Sequence, residues 1–253
     1  MGAICCDTRR GCKLCGKYAE DLEGFPIEDK SSVISKMRPL DMLCFRGHST
    51  FSKAIMKVEA RTLGHSEFSH VGVVVDSSIT REDNKLDPNK LYFLESLASK
   101  GFAKDVLEDK TIKGVQIRDL EEVLKEAESD DPCEVAWARL KDNPLDNDLK
   151  RDELKKKLRD YFELVIHKGY EMTLHLIKAF QDNPTYHGPD QTYFCSELAA
   201  GLYQKIGLFP ENMDCETIAP VEMLCNKEKP SPQFEQPIVL NLTNVNPPNL
   251  ASK

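Results

Sequence analysis

Three residues in this chain have types and settings that could do chemistry together: His70, Glu95 and Cys195. Cys195 lies in Gln191–Pro210, where Phe194, Leu198, Leu202 and Ile206 recur every four residues and form one apolar helical stripe. Asn183-Pro184 and Gly188-Pro189-Asp190 are turn formers, so the helix is expected to start near Thr192 or Tyr193. Gly207 and Pro210 end it. Cys195 then sits in the first turn, where unpaired backbone N–H groups and the positive end of the dipole favour a thiolate. His70 opens the β-branched run Val71–Val75, and Glu95 interrupts the apolar run Leu91–Ser96. A thiolate so placed can attack a carbonyl. An imidazole can take the thiol proton and return it to the leaving group, and a third polar residue can fix the imidazole tautomer. Taken singly, Cys195 reads as a core cysteine and His70 as the cap of a strand edge. Glu95 either reaches solvent or pairs with a buried donor.

Further elements must position these residues. Strands are expected at Asp41–Arg46, Phe68–Asp76, Leu91–Ser96, Gly114–Arg118, Glu134–Leu140 and Ile238–Leu242. Alternation places Tyr92, Leu94 and Ser96 on one face and Phe93 and Glu95 on the other. Helices are expected from Ser49 or Thr50 to Thr62, with Phe51, Ala54, Ile55 and Val58 inward, and over Asp119–Ala127. A longer helix, Leu149–Ile166, would bury Leu154, Leu158, Tyr161, Phe162 and Val165. Shorter ones are expected over 171–180 and from Pro220. Residues 19–38 read as a polar connector and 77–90 as a loop.

The order His70, Glu95, Cys195 reverses that of papain, in which the cysteine comes early and the histidine late. The chain resembles the circularly permuted branch of the NlpC-type papain-like amidases over roughly residues 38 to 226. The carriers are Pro39–Phe45, Phe68–Val73, Phe93-Leu94-Glu95, Gly169-Tyr170-Glu171 and Tyr193–Leu198. Leu40 stands where that family usually has glycine. The resemblance implies an α+β fold, a papain-like antiparallel sheet packed against a nucleophile-bearing helix, circularly permuted. It implies Cys195 as nucleophile, His70 as base and Glu95 as the orienting residue, with no metal or cofactor. The Cys195 N–H is the natural oxyanion donor, and the Tyr193 hydroxyl could add a second. His48, His65, His167, His175 and His187 are rival bases, while Glu197 is expected to make a structural hydrogen bond.

The expected reaction is hydrolysis of an amide or isopeptide bond through a thioester. A phospholipase, thioesterase or acyltransferase with the same residues is the second reading. Relatives resembling lecithin retinol acyltransferase tend to carry a second histidine where this chain has Glu95 and an asparagine where it has Phe194. A membrane-tethered binding module is the third. The substrate is accordingly a peptide, an amide or a lipid.

The first eighteen residues differ from the rest. Gly2 can accept myristate once Met1 is removed, although the sixth position is Cys6 rather than Ser or Thr. Cys5 and Cys6 could carry S-acyl chains, and a second chain makes anchoring stable. Arg9, Arg10, Lys13 and Lys17 would draw the segment to an anionic cytoplasmic leaflet. A zinc site on Cys5, Cys6, Cys12 and Cys15, or a disordered tail, are the competing readings. The expected layout is an N-terminal segment at 1–37, a catalytic domain at 38–226 and a C-terminal strand and tail at 227–253. A net charge of −8 argues against nucleic acid as a partner. Nine cysteines without a secretory signal point to a reducing cytosol, on the inner face of a membrane, rather than a disulfide framework.

Overall fold

A computed structural model describes residues 25–62, 66–81, 85–128, 133–170, 192–224 and 234–242. The fold is α+β. Its centre is a seven-stranded sheet of β1 (Ile27–Asp29), β2 (Met42–Arg46), β3 (His70–Val75), β4 (Tyr92–Leu97), β5 (Gly114–Asp119), β6 (Glu134–Ala138) and β7 (Ile238–Asn241). Their spatial order is β1-β7-β6-β2-β3-β4-β5. The described helices are α1 (Lys30–Ile34), α2 (Thr50–Thr62), α3 (Leu120–Ala127), α4 (Asp148–Val165) and α5 (Cys195–Lys205).

Five of the strand pairs are antiparallel, and β1 joins β7 in parallel, so the sheet is mixed rather than antiparallel throughout. The parallel pair comes from the stretch read as a connector, where Ile27–Asp29 pairs with Val239–Asn241. Asp29 then caps α1 by accepting from the Ser31 N–H at 2.9 Å. One sheet therefore draws strands from all three segments expected from the sequence.

Both faces of the sheet are covered, which is why β3 is apolar and buried from Val71 to Val75. Met42, Cys44, Val71, Val73, Leu94 and Ile117 pack with residues of α4 and α5. Leu43, Phe45, Val74, Phe93 and Trp137 pack with Val33 of α1 and Leu120, Val123 and Leu124 of α3. All five residues expected on the inner side of α4 are buried. Helix α2 buries Ile55 and packs Val58 against Ala219 and Val221 as expected, but Met56 and Glu59 are also buried and Ala54 is exposed. A glutamate lies on its inner face, bonded to Ser66, and an apolar count passes over it. Burial holds the Glu59 carboxyl well above the carboxylate range.

The turn into β2 shows what Leu40 does in place of glycine. Leu40 has φ 74, the left-handed region that favours glycine. Its conformation is fixed from both ends. The Leu40 N–H donates to the Val74 carbonyl at 2.8 Å, and its own carbonyl accepts the Tyr203 hydroxyl at 3.0 Å. The next residue, Asp41, accepts from the Arg38 N–H, the Trp137 Nε1–H and the Leu140 N–H at 2.9, 2.9 and 3.0 Å.

Candidate active site

Helix α5 starts at Cys195, two to three residues later than the turn formers suggested. Phe194 is the extended N-cap and its side chain has no acceptor to offer. Glu197 supplies the other half of a capping box, its Oε2 accepting the Phe194 N–H at 3.0 Å. This is the structural role expected of Glu197. Cys195 is the first helical residue, so its N–H belongs to the turn that lacks intrahelical acceptors.

The lead-in to the helix is fastened at several points. Ser96 of β4 donates its hydroxyl to the Tyr193 carbonyl at 2.8 Å. The Tyr193 N–H donates to the Gly169 carbonyl at 2.9 Å, and Thr192 bridges Gly169 in parallel. The 168–169 turn is held in turn by β5, whose Val115 N–H donates to the Lys168 carbonyl at 2.8 Å. Gly114 permits that approach: its φ is 88, and a Cβ there would come within 2.9 Å of the Gly169 Cα.

His70 is the first residue of β3. The Val73–Leu94 register sets Gly72 opposite Glu95, so His70 and Glu95 are diagonal neighbours on one face of the sheet. The Phe93 ring lies over Gly72, and the Phe45 ring stands 5.6 Å from the imidazole between centroids. His70 Nε2 and Glu95 Oε2 are 2.6 Å apart. That leaves Nδ1 unclaimed by Glu95, and the Cys195 sulfur lies close enough to the ring to act on its charge. The structure thus brings Cys195, His70 and Glu95 into one connected set. The His70 side chain keeps 17% of its surface exposed, so the set reaches solvent through the imidazole.

Charge is arranged around that contact. Burial works against a charged imidazole, but the Cys195 sulfur and the Glu95 carboxylate outweigh it and raise His70 to about 10. Burial alone would raise Glu95 as well. Arg118, then His70, reverse that and hold it below the usual carboxylate range. Arg118 Nε donates to Glu95 Oε1 at 2.5 Å, Nη2 reaches the same oxygen, and Nη1 donates to Glu126 Oε2 at 2.5 Å. Arg118 was not singled out from the sequence. Its signal was there in Gln116 and Arg118, two polar side chains of the same parity on a buried strand.

Tyr193 lines a cleft of about 450 Å³ whose other walls include Tyr161, Glu197, Gly201 and Cys215; neither Cys195 nor His70 lines it. The structure therefore turns Tyr193 toward a different cavity. The tyrosine beside the nucleophile is Tyr170, whose hydroxyl is held well above its ordinary value by burial and by the Cys195 sulfur. Its ring meets Phe194 edge-on at 6.2 Å. Cys44 and Cys215 are two further described cysteines. Burial pushes the Cys44 thiol far up, and burial with Glu197 pushes Cys215 up to about 12.

Among the rival bases, His48 is exposed, and His167 sits 3.5 Å from Asp105 Oδ1. His65, His175 and His187 lie outside the described residues, as do Gly2, Cys5, Cys6, the helix expected over 171–180 and Gly64. Among the described residues, no three acidic, cysteine or histidine side chains are placed to hold a metal ion, and no helix is long and apolar enough to cross a membrane. In comparisons with known proteins, no family model matches the chain and no curated protein sequence matches it.

Proposed function

We propose that the chain is a circularly permuted papain-like thiol hydrolase of the NlpC type that cleaves an amide or isopeptide bond. The observation that carries this reading is His70, paired with Glu95 through Nε2 and lying beside the Cys195 sulfur. The strand-initial histidine, the helix-initial cysteine and Leu40 at a left-handed φ of 74 support the resemblance to that family.

In the first step the Cys195 thiol gives its proton to His70 Nδ1 and the sulfur attacks the carbonyl carbon. The oxyanion develops beside the Cys195 N–H, with the Tyr170 hydroxyl as the neighbouring side-chain donor. The imidazolium then protonates the amine as the C–N bond breaks, leaving a thioester on Cys195. In the second step His70 takes a proton from water, the hydroxide displaces the sulfur, and the carboxylic acid leaves. Glu95 keeps Nε2–H in place throughout and stabilises the imidazolium. We place this activity on the cytoplasmic face of a membrane through acylation of Gly2, Cys5 and Cys6.

The test is labelling by a cysteine-directed probe, followed by turnover of peptide amides and phospholipids. Labelling and amide turnover that disappear in Cys195→Ala are expected. Labelling equal in both proteins would overturn the enzymatic reading. Fatty acid or lysolipid release without amide turnover would replace the amide substrate with a lipid. The anchor is tested by intact mass after expression in a eukaryotic host, where an unmodified Gly2 would remove it.

A further inference from the structure

We propose that Arg118 is a positioning residue for the Glu95–His70 pair: its guanidinium, pinned from behind by Glu126, keeps Glu95 an anion and so holds the Nε2–H of His70 on Glu95, leaving Nδ1 to take the thiol proton. This rests on the hydrolase reading above. Arg118 is 3% exposed and Glu95 1% exposed, so neither charge is screened by water. Two of the three guanidinium nitrogens are spent on one oxygen of Glu95, leaving the other oxygen to His70. The third nitrogen goes to Glu126, which also accepts the Ala103 N–H at 3.0 Å. A Cβ on Gly101 would lie 2.6 Å from both Arg118 Nη1 and Glu126 Oε1, so the 101–103 loop closes directly over the pair.

The consequence is a choice between two proton placements. With Glu95 ionised, Nε2–H donates to it and Nδ1 is the acceptor that takes the thiol proton. Without Arg118, a sealed carboxylate facing only His70 takes up a proton instead. A protonated Glu95 donates to Nε2, Nδ1 then carries hydrogen, and the ring presents a donor to the sulfur. The groups facing the set are His70 and Arg118 on Glu95, Glu126 on Arg118, and Cys44, Glu59 and Tyr170 around Cys195.

The experiment is iodoacetamide alkylation of the full-length protein across pH 5.5–9.5, read at the Cys195 peptide by mass spectrometry. Wild type, Arg118→Met, Arg118→Lys, Glu126→Gln and His70→Ala are compared. In Arg118→Met the rate at pH 6 is expected to fall about tenfold or more and to recover above the ordinary thiol pKa of about 8.5. Arg118→Lys restores part of the loss, because it returns charge without the fork. Glu126→Gln loses a few-fold. Nitrogen-15 shifts of His70 report the tautomer in each folded variant, which covers the case of a variant whose rate falls through instability. A wild-type pH profile and wild-type His70 nitrogen-15 shifts in Arg118→Met, or in Arg118→Lys and Glu126→Gln if that variant does not fold, would overturn the proposal. A wild-type profile already equal to His70→Ala would overturn the hydrolase reading itself, and this inference with it.

Discussion

Asp41 and Glu95 are both sealed carboxylates, exposed 0% and 1%, yet their pKa values are moved in opposite directions. Burial pushes each of them up. Asp41 is answered mainly by neutral donors, the N–H groups of Leu140 and Arg38 and the indole of Trp137, and its pKa stays raised. Glu95 is answered by Arg118 and His70, and its pKa is lowered. A buried carboxylate is thus a structural clasp when it meets amides and an electrostatic device when it meets a counter-charge. Burial likewise raises the thiols of Cys44 and Cys215, neither of which faces His70.

The comparison breaks most sharply at Glu95. Glu95→Gln is expected to lower kcat by about 10²–10⁴-fold, because the amide cannot stabilise an imidazolium. It should also lower the unfolding midpoint, since Arg118 is left buried with Glu126 alone. Next in size is Tyr170→Phe, expected to cost about 100-fold in kcat with little change in KM. Tyr193→Phe, measured beside it, should leave kcat within a few-fold of wild type, since Tyr193 lines the other cleft.

Asp41→Asn is the opposite case. One acceptor oxygen replaces two against three donors, and the expected cost is about 1–3 kcal/mol of stability, with activity per folded molecule unchanged. The two carboxylates also differ in sign on acidification. Stability contributed by Glu95 is present above its ordinary value of 4.5 and is lost as pH falls through its lowered pKa. The Asp41 contribution is full below 3.8 and is lost as pH rises through its raised pKa. Denaturant melts from pH 3 to 7 should therefore show a flatter acid limb in Glu95→Gln and a steeper one in Asp41→Asn. Leu40→Gly is comparable in size. It relieves about 1–2 kcal/mol of left-handed strain but loses a buried side chain, for a net loss of about 1–3 kcal/mol in the same melts.

The residues of the set were legible because strands announce themselves by period two. Alternation along Leu91–Ser96 assigned Glu95 and Ser96 to opposite faces, and each turns out to hold a different part of the site. The register between β4 and β5 was not legible, so Arg118 could not be matched to Glu95. Tyr193 was read as part of the helix, but a start two to three residues later leaves it in the lead-in before the cysteine. Strand β1 was hidden because Ile27–Asp29 is short and polar and pairs with residues more than two hundred positions away.

The central claim is that His70 and Cys195 form one ionising unit. The most direct measurement is the pH dependence of Cys195 alkylation in wild type against His70→Ala. Because His70 is raised to about 10, the wild-type profile should carry an inflection near that value, where the imidazolium is lost. The His70→Ala rate should instead climb as an ordinary thiol does, with a midpoint of about 8.5. Superimposable curves would contradict the account.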